Sequence, residues 1–265
     1  MLFGIGTWFF QEYTTTEALK RIWDTGFRAA EIWMEHPLRT GESITDIRKL
    51  VQELFVKVTL HATSYDLNLT SINSGIQAES LKQARHAVKM AAEIGADLMV
   101  LHPGRLSTLY ENKAATRQRL YSILRDLDSM AADENITIAL EIMENKPKEI
   151  FVSLQDVMEF LEFDWERIRL TFDIAHTRTI MDPAAFLEML PKNSIAHVHL
   201  SDGDDKYIHM PLGKGSIAID DVLSSLSSFY TGLVIIEGYI PGRGDATARE
   251  NFNYLERRGW IGKHP

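Results

Sequence analysis

Short apolar runs alternate with amphipathic segments along the whole chain, and this alternation leaves few folds open. LFGIG, AEIWM, VKVTLH, ADLMVLH, ITIALE, IRLTFD, IAHVHL and GLVIIE each have the apolar, β-branched content of a strand. Helical patterns are predicted over 14–24, 43–54, 114–132, 153–161, 183–190, 219–229 and 246–257. One more helix is predicted where Leu81, Ala84, Val88, Ala91 and Ala92 share a face and Gly95 stops the pattern. Strands separated by helices pair in parallel. Eight such units in 265 residues predict an α/β fold, a single (β/α)8 TIM barrel forming one domain over 1–265.

Composition narrows the function classes. The formal net charge is -9, which disfavours a chain that coats nucleic acid or an anionic membrane. With no cysteine, disulfides, thiolate zinc sites and cysteine nucleophiles are excluded. No run reads as a signal peptide or approaches the roughly 20 apolar residues of a membrane helix, so a cytoplasmic protein is expected. The helix faces predict no particular oligomeric state.

The strand ends carry the chemistry. In units three to eight they read His61, His102, Glu141, Asp173, His199 and Glu237. One such residue alone is most often a hydrogen-bonded structural group. Six at one barrel mouth are different, because three carboxylates gathered there repel one another unless a cation lies between them. Residues two apart on a strand share a face, so Glu141 is expected beside Ala139, Glu237 beside Ile235 and His102 beside Val100. If that face points inward, all six converge where this fold places its active sites. Carboxylate with imidazole suits zinc or manganese, with cobalt or magnesium as further choices.

These residues and their order resemble the xylose isomerase-like TIM barrel superfamily. That group includes sugar isomerases and epimerases and the endonuclease IV type of abasic-site repair enzymes. The resemblance spans nearly the whole chain. It implies that Glu141, Asp173, His199 and Glu237 form the four-ligand metal set of the epimerases, with Glu141 and Glu237 as the catalytic acid-base pair. LHPG, which contains His102, and His61 match two further zinc ligands of the repair enzymes. DIAH and HMPLGKG place His176 and His209 on their third metal. The repair enzymes carry an aspartate two residues before that last histidine, whereas this chain has Tyr207. Asp204 and Asp205 are the nearby carboxylates.

Two chemistries follow as expectations from the resemblance. One is a metal-dependent isomerase or epimerase acting on a small sugar or sugar phosphate through an enediolate. The other is a di- or trinuclear zinc phosphoesterase acting on abasic DNA. Trp8 and Trp33 are candidates to stack on a sugar ring. Arg105 and Lys214 are candidates to hold a phosphate. His197, on the face of His199 but deeper, is read as a supporting residue.

Overall fold

The computed structural model describes residues 1–262. Eight parallel strands close into a barrel in sequence order, with β8 returning to pair with β1. They are β1 (Leu2–Gly6), β2 (Ala29–Trp33), β3 (Lys57–His61), β4 (Leu98–Leu101), β5 (Thr137–Glu141), β6 (Ile168–Asp173), β7 (Ile195–Leu200) and β8 (Leu233–Ile236). His102 and Glu237 therefore stand one residue beyond their strands. Glu237 still continues the ladder, since its N–H donates to the Leu200 carbonyl at 2.9 Å.

Helices α1 (Thr15–Thr25), α3 (Ile44–Leu54), α4 (Ser74–Ile94), α5 (Lys113–Asp133), α6 (Leu154–Leu161), α8 (Pro183–Met189), α9 (Ile219–Ser227) and α10 (Gly244–Arg257) follow the predicted pattern. Their starts are set by side chains that satisfy first-turn N–H groups: Thr14 and Ser153 form capping boxes, and Asn73 accepts from Gly75 and Ile76. Two short helices were not legible, α2 (Glu35–Thr40) and α7 (Ile174–Arg178). Each has too few residues to show a helical period. Among the described residues, no helix is long and apolar enough to cross a membrane.

The main core lies between the strands and the helices. Two smaller apolar clusters lie apart from it, one of Ala29, Leu233 and Ile235, the other of Leu98, Val100 and Ala139. Their residues share strand faces with Glu31, Glu237, His102 and Glu141. The inward face of the barrel is thus apolar at its floor and becomes polar toward the C-terminal ends of the strands. Glu31, Thr59, Thr171 and His197 are each fully buried one step below the rim.

Candidate metal centre

The rim side chains are placed by strand register. Trp33 pairs with His61 and Asp173 with His199, whereas Glu141 pairs with Thr171, two residues before Asp173, so the last inward residues are staggered around the C-terminal rim. His102 comes from a turn instead. Asn68 fixes this turn by accepting from Arg105 N and donating to Arg105 O, both at 2.9 Å. Gly104 takes a φ of +83 there, and a Cβ would meet Thr70 Oγ1 at 2.8 Å, so the HPG turn requires its glycine.

His199 is the hub. Its Nδ1 lies 3.1 Å from Glu141 Oε1, 3.4 Å from Glu237 Oε1 and 3.9 Å from Asp173 Oδ2. Ligand atoms from these four residues all lie within 4.8 Å of one another. On one side, His61, His102 and Glu141 form a second such group, with His102 Nε2 3.0 Å from Glu141 Oε2. On the other side, Asp173, His176 and His209 form a third. Glu141 belongs to the first two groups and Asp173 links the four-residue group to the third. All eight rim residues singled out by the sequence are therefore brought together.

The polar layer beneath contains a residue that the sequence reading missed. Glu31, on β2, places Oε1 3.1 Å from His199 Nε2 and Oε2 3.0 Å from His197 Nε2. Thr59 Oγ1 donates to Glu31 Oε2 at 2.8 Å. A carboxylate accepts only, so Glu31 holds one His199 proton on Nε2, and Nδ1, which faces Glu141 and Glu237, carries the proton that a bound cation would displace. The signal was available: a glutamate in the middle of an apolar strand, two residues before Trp33. Glu31, His197 and His199 could also hold a cation by proximity, although Thr59 and the two imidazoles already engage the carboxylate.

The charges at the rim are unevenly resolved. Burial pushes the Glu141 carboxyl up, but positive charge on His199 and His102 overrides this and holds it well below the ordinary range. Glu237 is raised well above it by burial and by Glu141, Asp173 and Glu31, against the pull of His199. His102 gives Glu141 a second cation that Glu237 lacks. His199 is raised well above its usual value because the carboxylates of Glu237, Glu31 and Glu141 outweigh its burial. At the rim, among the described residues, Asp173 Oδ2 and Glu144 Oε2 are buried without a hydrogen-bond partner, and Glu141 Oε2 has the His102 imidazole at 3.0 Å but no well-aligned hydrogen bond. Orphaned carboxylate oxygens facing imidazole nitrogens fit a divalent cation of the zinc or manganese kind.

The rim opens into a hollow of about 360 Å³ walled by Trp8, Trp33, Met143, Ile208 and Tyr239. Trp33 stacks on His61, with ring centroids 4.0 Å apart, and Trp8 lies 5.2 Å from Trp33. Arg105 lines an adjoining hollow with His102, Glu144, Lys146 and Glu149. Lys214 is not brought to the rim; it lines a separate hollow with Glu250 and Arg257 of α10. The loop after β7 bends it there. Asp202 accepts from the N–H groups of Gly203, Gly213, Gly215 and Ile217 at 2.8–3.1 Å, which folds the LGKG segment over it. Asp204 caps its own turn by accepting from Lys206 and Tyr207, and Asp205 pairs with Arg178. Neither joins His209, and Tyr207 is 65% exposed.

Comparison with known proteins agrees with this architecture. A family model described as xylose isomerase-like TIM barrel matches residues 19–258. An uncharacterised protein of Methanocaldococcus jannaschii is 30% identical over 89% of this chain and 83% of its own length. A probable endonuclease 4 of Pediococcus pentosaceus is 29% identical over 73% of this chain and 72% of its own. Among solved structures, a D-tagatose 3-epimerase-like protein superposes with a TM-score of 0.84 at 27% identity, covering 98% of this chain and 99% of that one.

Proposed function

Since the chain belongs to the xylose isomerase-like TIM barrel family, we propose that it is a divalent-metal-dependent isomerase or epimerase acting on a small sugar or sugar phosphate. One observation carries the reading. Glu141 and Glu237 reach the same imidazole nitrogen from strands β5 and β8, at the floor of a small aromatic-walled hollow. Glu141, Asp173, His199 and Glu237 would hold the cation, zinc or manganese by donor set, with cobalt or magnesium also suited to it. Such a cation supplies Lewis acidity to a carbonyl and its neighbouring hydroxyl and stabilises the negative charge of an enediolate.

The remaining work falls to the chain's own side chains. One of the two carboxylates removes the proton beside the substrate carbonyl, and the other returns it. Return to the opposite face of the same carbon epimerises the sugar, and return to the neighbouring carbon isomerises it. Glu31 holds His199 in a single orientation while charge moves between the carboxylates. Trp8 and Trp33 offer ring faces to the apolar side of a sugar. Arg105, which lines the adjoining hollow, would meet a substrate phosphate.

The test is proton exchange. Ketoses and ketose phosphates are incubated with metal-loaded protein in D₂O and followed by NMR. Deuterium is expected at the carbon beside the carbonyl with the wild type and absent with Glu141→Gln and Glu237→Gln. Exchange that survives in both variants would reject the mechanism.

A second reading has its own observation. The His61, His102 and Glu141 group shares Glu141 with the four-residue group, the arrangement a dinuclear phosphoesterase needs to activate water and stabilise a leaving oxygen. Incision of a duplex containing an abasic site, assayed with zinc at low salt, decides for or against it.

A further inference from the structure

Glu144 lies three residues beyond β5, and nothing in the isomerase reading uses it. It is 8% exposed. One of its oxygens, Oε1, pairs with the Nζ of Lys146, a largely exposed side chain. The other, Oε2, points inward without a hydrogen-bond partner and lies 3.6 Å from His176 Nε2. A buried carboxylate oxygen left in this state costs free energy unless a proton or a cation meets it.

The two histidines opposite turn ring nitrogens to the same place and there, among the described residues, have only each other as hydrogen-bond partner. His176 Nδ1 donates to the Ile142 carbonyl at 3.0 Å, and a carbonyl can only accept, so the lone pair of the neutral ring sits on Nε2. That Nε2 lies 3.1 Å from His209 Nε2, with the rings 80° apart. Two nitrogens bound to one transition-metal ion at about 2.1 Å have about this separation. His209 is committed to the position by its backbone. It takes a φ of +58, and its carbonyl accepts from Tyr239 N at 3.1 Å. The next residue, Met210, pairs with Asp202 at 2.8 and 2.9 Å. A left-handed histidine held in place by its neighbours is strain retained at a binding position.

We propose that Glu144 is a carboxylate ligand of a further divalent cation, held with His176 and His209 and adjoining the Glu141–Asp173–His199–Glu237 group through Asp173. Two imidazoles and a carboxylate select zinc or cobalt over magnesium. Lys146 keeps a positive charge on the other oxygen, Oε1, and so opposes a cation at Oε2 without occupying its place. The inference is independent of the isomerase reading, which needs one ion and not this one.

Metal-free protein is titrated with Co²⁺ and then Zn²⁺ by calorimetry, the visible Co²⁺ spectrum is recorded, and bound metal is counted per chain. Wild type is expected to bind one cation more than His209→Ala. Glu144→Gln should weaken that event alone by at least about 10-fold and alter its Co²⁺ bands, with the remaining binding unchanged. Lys146→Ala should tighten it. Equal stoichiometry and affinity in wild type and Glu144→Gln would overturn the proposal, as would a wild type with no binding event sensitive to His209. Loss of all binding in Asp173→Asn together with loss in Glu144→Gln would still support it, because Asp173 joins both groups. The main reading fails separately, by the absence of proton exchange.

Discussion

Asp202 and Glu141 are both buried carboxylates at the C-terminal end of the barrel, and their surroundings are opposites. Asp202 spreads its charge over four backbone N–H groups and needs nothing more. Glu141 faces four histidines, shares His199 with Glu237 and Asp173, and has an oxygen without a hydrogen bond. A carboxylate satisfied by backbone N–H groups organises a loop. One satisfied only by titratable neighbours is waiting for a proton or a cation. The sites of structure and of chemistry are told apart by who completes the valence of each oxygen.

That contrast can be broken by removing charge on each side. Glu141→Gln is expected to give the largest effect, a loss of turnover of about 1,000-fold or more, the scale of removing an acid-base group, with thermal stability nearly unchanged. Kinetics on the substrate identified by proton exchange measures it. Asp202→Asn should do the reverse. It should lower stability by about 3 kcal/mol, the scale of one or two lost charge-assisted hydrogen bonds, read from urea unfolding, while the folded fraction keeps the four-residue metal group. If Asp202→Asn abolished that metal binding and left stability intact, the two carboxylates would have been assigned the wrong way round.

Glu31→Gln sharpens the comparison from beneath. The amide keeps the shape but loses the charge that orients His199, so cation affinity should fall about 10- to 100-fold. An unchanged calorimetric affinity would make Glu31 a passive core residue. The smallest effect concerns pH. Glu237 in the metal-free protein keeps its proton well above the ordinary 4.5, mainly because it is buried among other carboxylates. The unfolded chain releases that proton first, so stability should fall as pH rises above about 4.5. His199, raised above 6.5, adds the same sign at higher pH. His197 and His209, lowered by burial, act in the opposite sense, so the sign is read by comparison: in chelator the unfolding midpoint of wild type should fall relative to that of Glu237→Gln as pH rises across that range. A relative rise would refute the sign.

Much of this was readable from the chain. Alternating runs such as ITIALE and the amphipathic segment after it indicate both the barrel and the residues of its rim, because parallel strands of period two bring each last inward residue to the same end of the barrel. His61 and Asp173 were legible for that reason. Glu31 was not, since its meaning depends on Thr59, His197 and His199 arriving from β3 and β7. Glu144 was hidden in a loop whose path no periodicity describes. Lys214 was expected near a phosphate, but the four N–H bonds to Asp202 fold its loop toward α10 instead. Asp204 and Asp205 stand close to His209 in sequence and point away from it, one into its own turn and the other to Arg178.

The central claim is that the orphaned carboxylates at the rim exist to hold a cation. Calorimetric titration of metal-free wild type and Asp173→Asn with Zn²⁺ and Mn²⁺ tests it most directly. Saturable binding by the wild type, and its loss in Asp173→Asn at unchanged fold, is the expected result. Identical isotherms for the two proteins, or no binding by the wild type, would contradict it.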